Sequence, residues 1–370
     1  MHFTPPGQHP SDTGIAANKP CLKGSEEYFR NKIVMFSFLM GIIIVYQHVR
    51  FGNEESQWLN ELHVFKTFLG KTCVPMFFAI SGYLFFRGFK WDKLNNKFIR
   101  RVHTLLIPYL IWNVFYVLFM LIMSKAGVMS DISIESSPSG VTKAILNAEC
   151  SPLWFLRYLM IFVLASPLAF FILRNKLTGA LLLICMMLYN YYNYCAGTLV
   201  SPLQVNSNTL ALFNYQFMFF ALGAYGALNW NRYVESYSKN KTRIAIIAMM
   251  MLCILYWVVL RTQGTLVTSH AFRFIWIPIV WFAFDALPMI NVRDWMRFSF
   301  FIYCSHMFVL YCLQGATRFL YPYLGSAKPI LVFIEYLVVG VLTVYLLIKT
   351  ASFLKRKSPT VFKLLTGSRG

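Results

Sequence analysis

Ten long apolar runs leave this chain few folds to choose from. They lie at about 33–49, 72–89, 102–124, 152–173, 177–196, 209–228, 243–261, 270–288, 297–320 and 329–354. At about 1.5 Å of helix rise per residue, each can cross roughly 30 Å of hydrocarbon. They are too long and too uniformly apolar to alternate as the strands of a membrane barrel. The chain is 58% hydrophobic and 13% charged, against about half and a quarter in a soluble domain. The expectation is an all-α integral membrane protein of about ten transmembrane helices.

The net charge of +20 could suggest nucleic acid, but the basic residues lie between the apolar runs and form no single basic domain. That distribution suits the setting of membrane orientation. With the N-terminus in the cytoplasm, 24 lysines and arginines fall on the inner side and 8 on the outer. An even helix count then leaves both termini cytoplasmic. Residues 1–29 read as a polar, disordered leader without a signal-peptide core, 30–354 as the transmembrane domain and 355–370 as a basic cytoplasmic tail. Two outer loops, Arg50 to Lys71 and Lys125 to Ser151, exceed ordinary connection lengths and can meet an external substrate or simply be solvated. The cysteines are scattered, with no spacing that suggests a metal site, and no phosphate-loop or dinucleotide motif occurs.

Ionisable residues inside apolar runs are costly and have partners or tasks. His48 ends the first run, in IVYQHVR. It either snorkels to the headgroups or works within the membrane. Arg157, in LWFLRYLM, and Arg273, in HAFRFIW, enter their runs from the outer side and pose the same choice. Ser81 and Gly82, in AISGYL, are small residues at mid-helix that favour close packing. Lys97, Arg100 and Arg101 crowd the inner mouth of the third run, where positive-inside sorting alone would also put them.

Five stretches in order carry a resemblance: VPMFFAISGYLFFRGF (74–89), KFIRRVHTLLIPYLIW (97–112), SPLWFLRYLMIFVLASPL (151–168), FMFFALGAYGA (217–227) and FSFFIYCSHMFVLY (298–311). With IVYQH before them, the chain resembles the acyltransferase 3 family of bacterial membrane acyltransferases over roughly residues 30 to 350. The resemblance implies transfer of an acyl group, most often acetyl, from cytoplasmic acetyl-CoA or another acyl-CoA to a hydroxyl of an extracytoplasmic or lipid-linked glycan. It implies a multi-pass protein of the bacterial inner membrane, with acyl-CoA, glycan and lipids as partners and neither nucleic acid nor metal. Ser37 stands where the family commonly has an arginine, eleven residues before the histidine. Before Pro108 the family's pair of arginines three apart is incomplete, since Thr104 follows Arg101 at that spacing; Lys97 and Arg100 stand three apart and can substitute.

The resemblance gives the residues expected roles. His48 maps onto the family's first-helix histidine. Imidazole titrates near neutral pH, so it can take a proton from the acceptor hydroxyl as a general base, or itself accept the acyl group. Lys97, Arg100 and Arg101 are expected to grip the coenzyme A phosphates, which guanidinium forks suit. His306, in the family's "iY-x-x-H" segment, either joins the donor site or is a core histidine. Arg157 and Arg273 are expected to line the acceptor pocket or steady an oxyanion. Trp154 either stacks on a sugar or belongs to the aromatic belt, and Ser81 is a weaker pocket candidate. A transporter or flippase of a lipid-linked glycan is the competing class, though the two halves of the chain show no convincing duplication.

Overall fold

The computed structural model describes residues 26–49, 57–125, 137–147, 152–195, 209–261, 267–288, 291–317, 323 and 328–369. All the regular structure among them is helical. The helices are α1 (Glu26–His48), α2 (Gln57–Phe86), α3 (Leu94–Arg101), α4 (Ile107–Lys125), α5 (Pro138–Asn147), α6 (Trp154–Leu173), α7 (Lys176–Cys195), α8 (Thr209–Asn229), α9 (Asn231–Glu235), α10 (Lys239–Arg261), α11 (Val267–Ala283), α12 (Ser299–Thr317), α13 (Lys328–Lys357) and α14 (Pro359–Thr366). Each of the ten apolar runs falls on one of the longer helices. Among the described residues, five helical stretches are long and apolar enough to cross a membrane: Glu26–His48, Trp91–Lys125, Trp154–Leu173, Asp294–Gly315 and Pro329–Lys357. The proposed leader lies mostly outside the described residues, and its last residues, from Glu26, already belong to α1.

The helices meet through aromatic rings and small residues. α2 and α8 pack backbone to backbone. A Cβ added at Gly82 would lie 2.1 Å from the Phe220 carbonyl oxygen, and one at Gly223 1.8 Å from that of Ala79. Only hydrogen side chains permit this approach. Phe78 adds contacts to Phe155 and Phe162 of α6, at 4.5 and 5.3 Å between centroids. Tyr116 of α4 stacks on Phe308 of α12 at 4.0 Å and donates a hydrogen bond to the Cys304 carbonyl.

One end of the bundle is tied by charge. Lys32 Nζ lies 2.7 Å from Asp285 Oδ1, both side chains almost fully buried. Tyr28 donates to the same oxygen at 2.7 Å, and Lys32 stands 4.0 Å over the Trp281 ring. A buried lysine needs such a partner. Nearby, Glu235 accepts from Arg87 Nε and from Tyr83, each at 2.7 Å. Burial raises the Glu235 carboxyl, but these two donors outweigh it and hold the group below the ordinary carboxylate range.

The third apolar run begins earlier than its hydropathy suggests. α3 carries the basic residues and passes through a π turn at Val102–Leu106 into α4. The wider turn sits directly after Arg101 and before Pro108, which has no N–H for the ladder. The segment read from its charge as a tail also folds. α13 runs to Lys357, and α14 docks Phe362, Leu365 and Thr366 into the bundle. Trp112 Nε1 donates to the Leu365 carbonyl at 2.9 Å.

Candidate functional site

α1 stops while its neighbours continue. Gly70 of α2 packs on Gln47, and a Cβ at Gly70 would lie 2.3 Å from Gln47 Oε1. Thirteen residues of α2, Gln57 to Leu69, precede that contact, about 20 Å of helix at ~1.5 Å per residue. α13 behaves alike. Gly340 packs on the Tyr46 ring, twelve residues after the helix begins at Lys328, or about 18 Å. His48 therefore ends α1 at mid-bundle. Judged from a helix starting at Ile33, it belongs in the outer half of the hydrocarbon. The first turns of α1, at Tyr28 and Lys32, are instead spent alongside Asp285.

Across from it stands His306, the eighth residue of α12. The two ring centroids are 5.2 Å apart. His306 is fully buried. Its Nδ1 lies 2.7 Å from the Tyr303 carbonyl and 3.2 Å from that of Ile302. Carbonyls only accept, so Nδ1 carries the proton and Nε2 presents a lone pair. That Nε2 is buried and has no hydrogen-bond partner in the protein. A buried acceptor left open costs free energy unless a donor arrives. Two imidazoles, one fixed in tautomer, suit proton transfer at a hydroxyl placed between them. His306, grouped by its motif with the donor cations, is thus brought to His48.

Surrounding residues hold this end of α1. Lys66 Nζ donates to the Val49 carbonyl at 2.7 Å, a cation at a helix C-terminus where the dipole favours it. Tyr46 meets Tyr336 of α13 at 5.2 Å. Gln47 Oε1 is buried with no hydrogen-bond partner. Lys66 reads in the sequence only as an outer-loop lysine, because its partner, Val49, lies seventeen residues away just past the end of α1.

The start of α6 joins the same region. Tyr303 donates to the Pro152 carbonyl at 2.5 Å, and Phe155 meets the Tyr303 ring at 5.7 Å. The turn that fixes His306 is therefore tied to the helix that carries Trp154 and Arg157. Trp154 packs on Phe78 and Tyr158, at 6.4 and 6.1 Å. Arg157 is half-buried one turn further along. Ser81 is half-buried on α2, one turn beyond Phe78. Arg273 of α11 is buried, and its guanidinium donates to the Tyr215 hydroxyl of α8. That interaction fixes it on the α8–α11 face, with a partner already supplied.

The other candidates meet where α3 passes the end of α2. Lys97, Arg100 and Arg101 line one cavity of about 690 Å³. Lys97 Nζ donates to the Phe85 carbonyl at 2.7 Å, and the Arg101 guanidinium lies 5.6 Å from the Phe85 ring. Among the described residues no group of histidines, cysteines and carboxylates is arranged to hold a metal ion.

Comparison with known proteins gives two findings. The family profile described as "Acyltransferase domain" (Acyl_transf_3) matches residues 31–349. The succinoglycan biosynthesis protein ExoH of Rhizobium meliloti (strain 1021) is 34% identical over 145 residues, which cover 34% of this chain and 38% of that protein. The match thus spans under two-fifths of that relative's length. No solved structure matches.

Proposed function

Because this chain belongs to the Acyl_transf_3 family of acyltransferase domains, we propose that it is a membrane-embedded O-acyltransferase of the bacterial inner membrane. It moves an acyl group, acetyl in the simplest case, from cytoplasmic acyl-CoA to a hydroxyl of an extracytoplasmic or lipid-linked glycan. His48 takes the hydroxyl proton. The similarity to a protein of succinoglycan biosynthesis supports a glycan acceptor.

The observation that carries the reading is the histidine pair at mid-bundle, 5.2 Å between centroids, where α1 ends. A hydroxyl reaching His48 from one side can meet an acyl group delivered from the other. Lys97, Arg100 and Arg101 are suited to the donor's phosphates. Arg157 and Trp154, on the helix tied to His306, are suited to the acceptor or to charge on the carbonyl oxygen. Arg273 and Ser81 are proposed for the wall of the acceptor pocket.

Membranes carrying the protein, supplied with radiolabelled acetyl-CoA, test this. Label should appear on surface or lipid-linked glycan and vanish with His48→Gln, a variant that keeps a hydrogen-bonding group but takes no proton at neutral pH. Unlabelled glycan with wild-type protein, or full labelling with His48→Gln, would refute it.

A further inference from the structure

The cavity holding Lys97, Arg100 and Arg101 has a wall that the sequence does not bring near them. Gly367, Ser368 and Arg369 line it too, so among the described residues four lysines and arginines share about 690 Å³ and no aspartate or glutamate lines it. The cations are held by rings and backbone. Arg369 stands 4.4 Å over the Phe300 ring and Arg101 5.6 Å over that of Phe85. Lys97, Arg101 and Arg369 are half-buried and Arg100 is exposed; cations gathered this closely repel one another and favour an anion between them. Burial, and then the neighbouring Arg101, lower the Arg369 guanidinium to about 10, so it remains charged at neutral pH.

The segment is held in place by its backbone. Gly367, at φ +60°, ends α14 in the left-handed conformation that glycine adopts without penalty. A Cβ there would lie 2.6 Å from the Thr104 Cα and carbonyl oxygen, so the chain rests directly on the π turn that follows Arg101. Ser368 is also left-handed, at φ +62°, a conformation that costs a non-glycine residue and is found at ligand clamps. These two residues turn the chain back from α14 toward the cavity. Thr104, in the same lining, has a buried hydroxyl with no hydrogen-bond partner.

We infer that Arg369 is a fourth cation of a polyphosphate-binding site, and that Gly367–Arg369 completes the cavity in which Lys97, Arg100 and Arg101 receive the phosphate-bearing end of the acyl donor. This rests on the acyl-CoA reading above and adds a segment to it. The segment joins the donor site from the far end of the sequence and enters the cavity as a wall.

Coenzyme A binding to the purified protein, followed by calorimetry, tests it. Arg369→Met keeps a side chain over Phe300 but removes the charge. It should weaken coenzyme A binding at least about tenfold, the lower range for a charge-assisted hydrogen bond, with the thermal midpoint unchanged. Arg369→Lys should recover most of that loss. Equal losses in both variants would assign Arg369 to packing and overturn the inference. Wild-type or tighter binding in Arg369→Met would overturn it as well, the tighter case marking the segment as an obstruction. The pair Lys97→Gln/Arg101→Gln separates this from the donor reading. Weakened binding there beside an unaffected Arg369→Met leaves the donor site standing without its fourth cation. Unchanged binding in the pair removes the donor site and the inference together.

Discussion

The imidazole of His306 stands 5.2 Å from that of His48, and its proton is committed to the Tyr303 carbonyl at 2.7 Å. This geometry makes the two rings a unit. His306 is held in the tautomer that leaves Nε2 as an acceptor, beside the ring proposed to take a proton. General base catalysis contributes typically about 10² to 10⁴ in rate, so His48→Ala should lose at least ~10² in acyl transfer while the protein still inserts. His306→Ala should lose on a similar scale. Groups that act together are not additive, so the double variant should be no slower than the worse single. Losses that multiply in single-turnover assays would show that the rings act separately.

The buried pair of Lys32 and Asp285 makes a second prediction. Removing one partner strands the other charge in the interior, a cost of about 3–5 kcal/mol. Lys32→Met alone should sharply lower the thermal midpoint in detergent. Lys32→Met/Asp285→Leu should recover much of it, because apolar replacement of both partners is often neutral. If the double variant is no better than the single, the pair is not what α1 and the short 3-10 turn that carries Asp285, Phe284–Ala286, depend on.

Acid should loosen the contact of Arg87 and Tyr83 with Glu235. The Glu235 carboxyl is held below its ordinary range in the fold, so its contribution is present above the unfolded-state value, about 4.3. It is lost as pH falls through the folded-state value. Melting curves of wild type and Glu235→Gln should differ most near neutrality and draw together as the pH falls below the unfolded-state value. A gap that persists at low pH would assign the difference to packing.

Orientation can be tested at the same loop. The 24-to-8 bias of basic residues gives an expectation to test: ten crossings, both termini inside, and Glu235 and Arg100 on the cytoplasmic face. Single cysteines at 100 and 235, in an otherwise cysteine-free protein, should resist an impermeant reagent until the cells are opened. Labelling of either in intact cells would reverse the arrangement.

Hydropathy carries the helices because apolar length is a local property. The ten runs fall on ten longer helices without knowledge of their neighbours. Partnerships are another matter. Nothing in the residues flanking His48 points to His306, and nothing near Lys32 points to Asp285, because each contact forms only when distant helices pack. α14 is an intermediate case. Its sequence has Pro359 at the start, Phe362 and Leu365 one turn apart, and Gly367 just past the end, the signs of a short capped helix with one apolar face. By charge alone, Lys355, Arg356, Lys357 and Lys363 mark only a basic tail. The depth of His48 also lay beyond the sequence, since it depends on how far α2 and α13 extend past the end of α1.

The docking of α14 has a consequence for biogenesis. Leu365 accepts its hydrogen bond from Trp112, 253 positions earlier, so the ribosome must carry the chain past α13 before the cavity beside Arg101 acquires this wall. Until then the basic residues of α3 stand without it, and contacts of such long sequence separation form late. A tag fused directly behind Arg369 would press on the same seam.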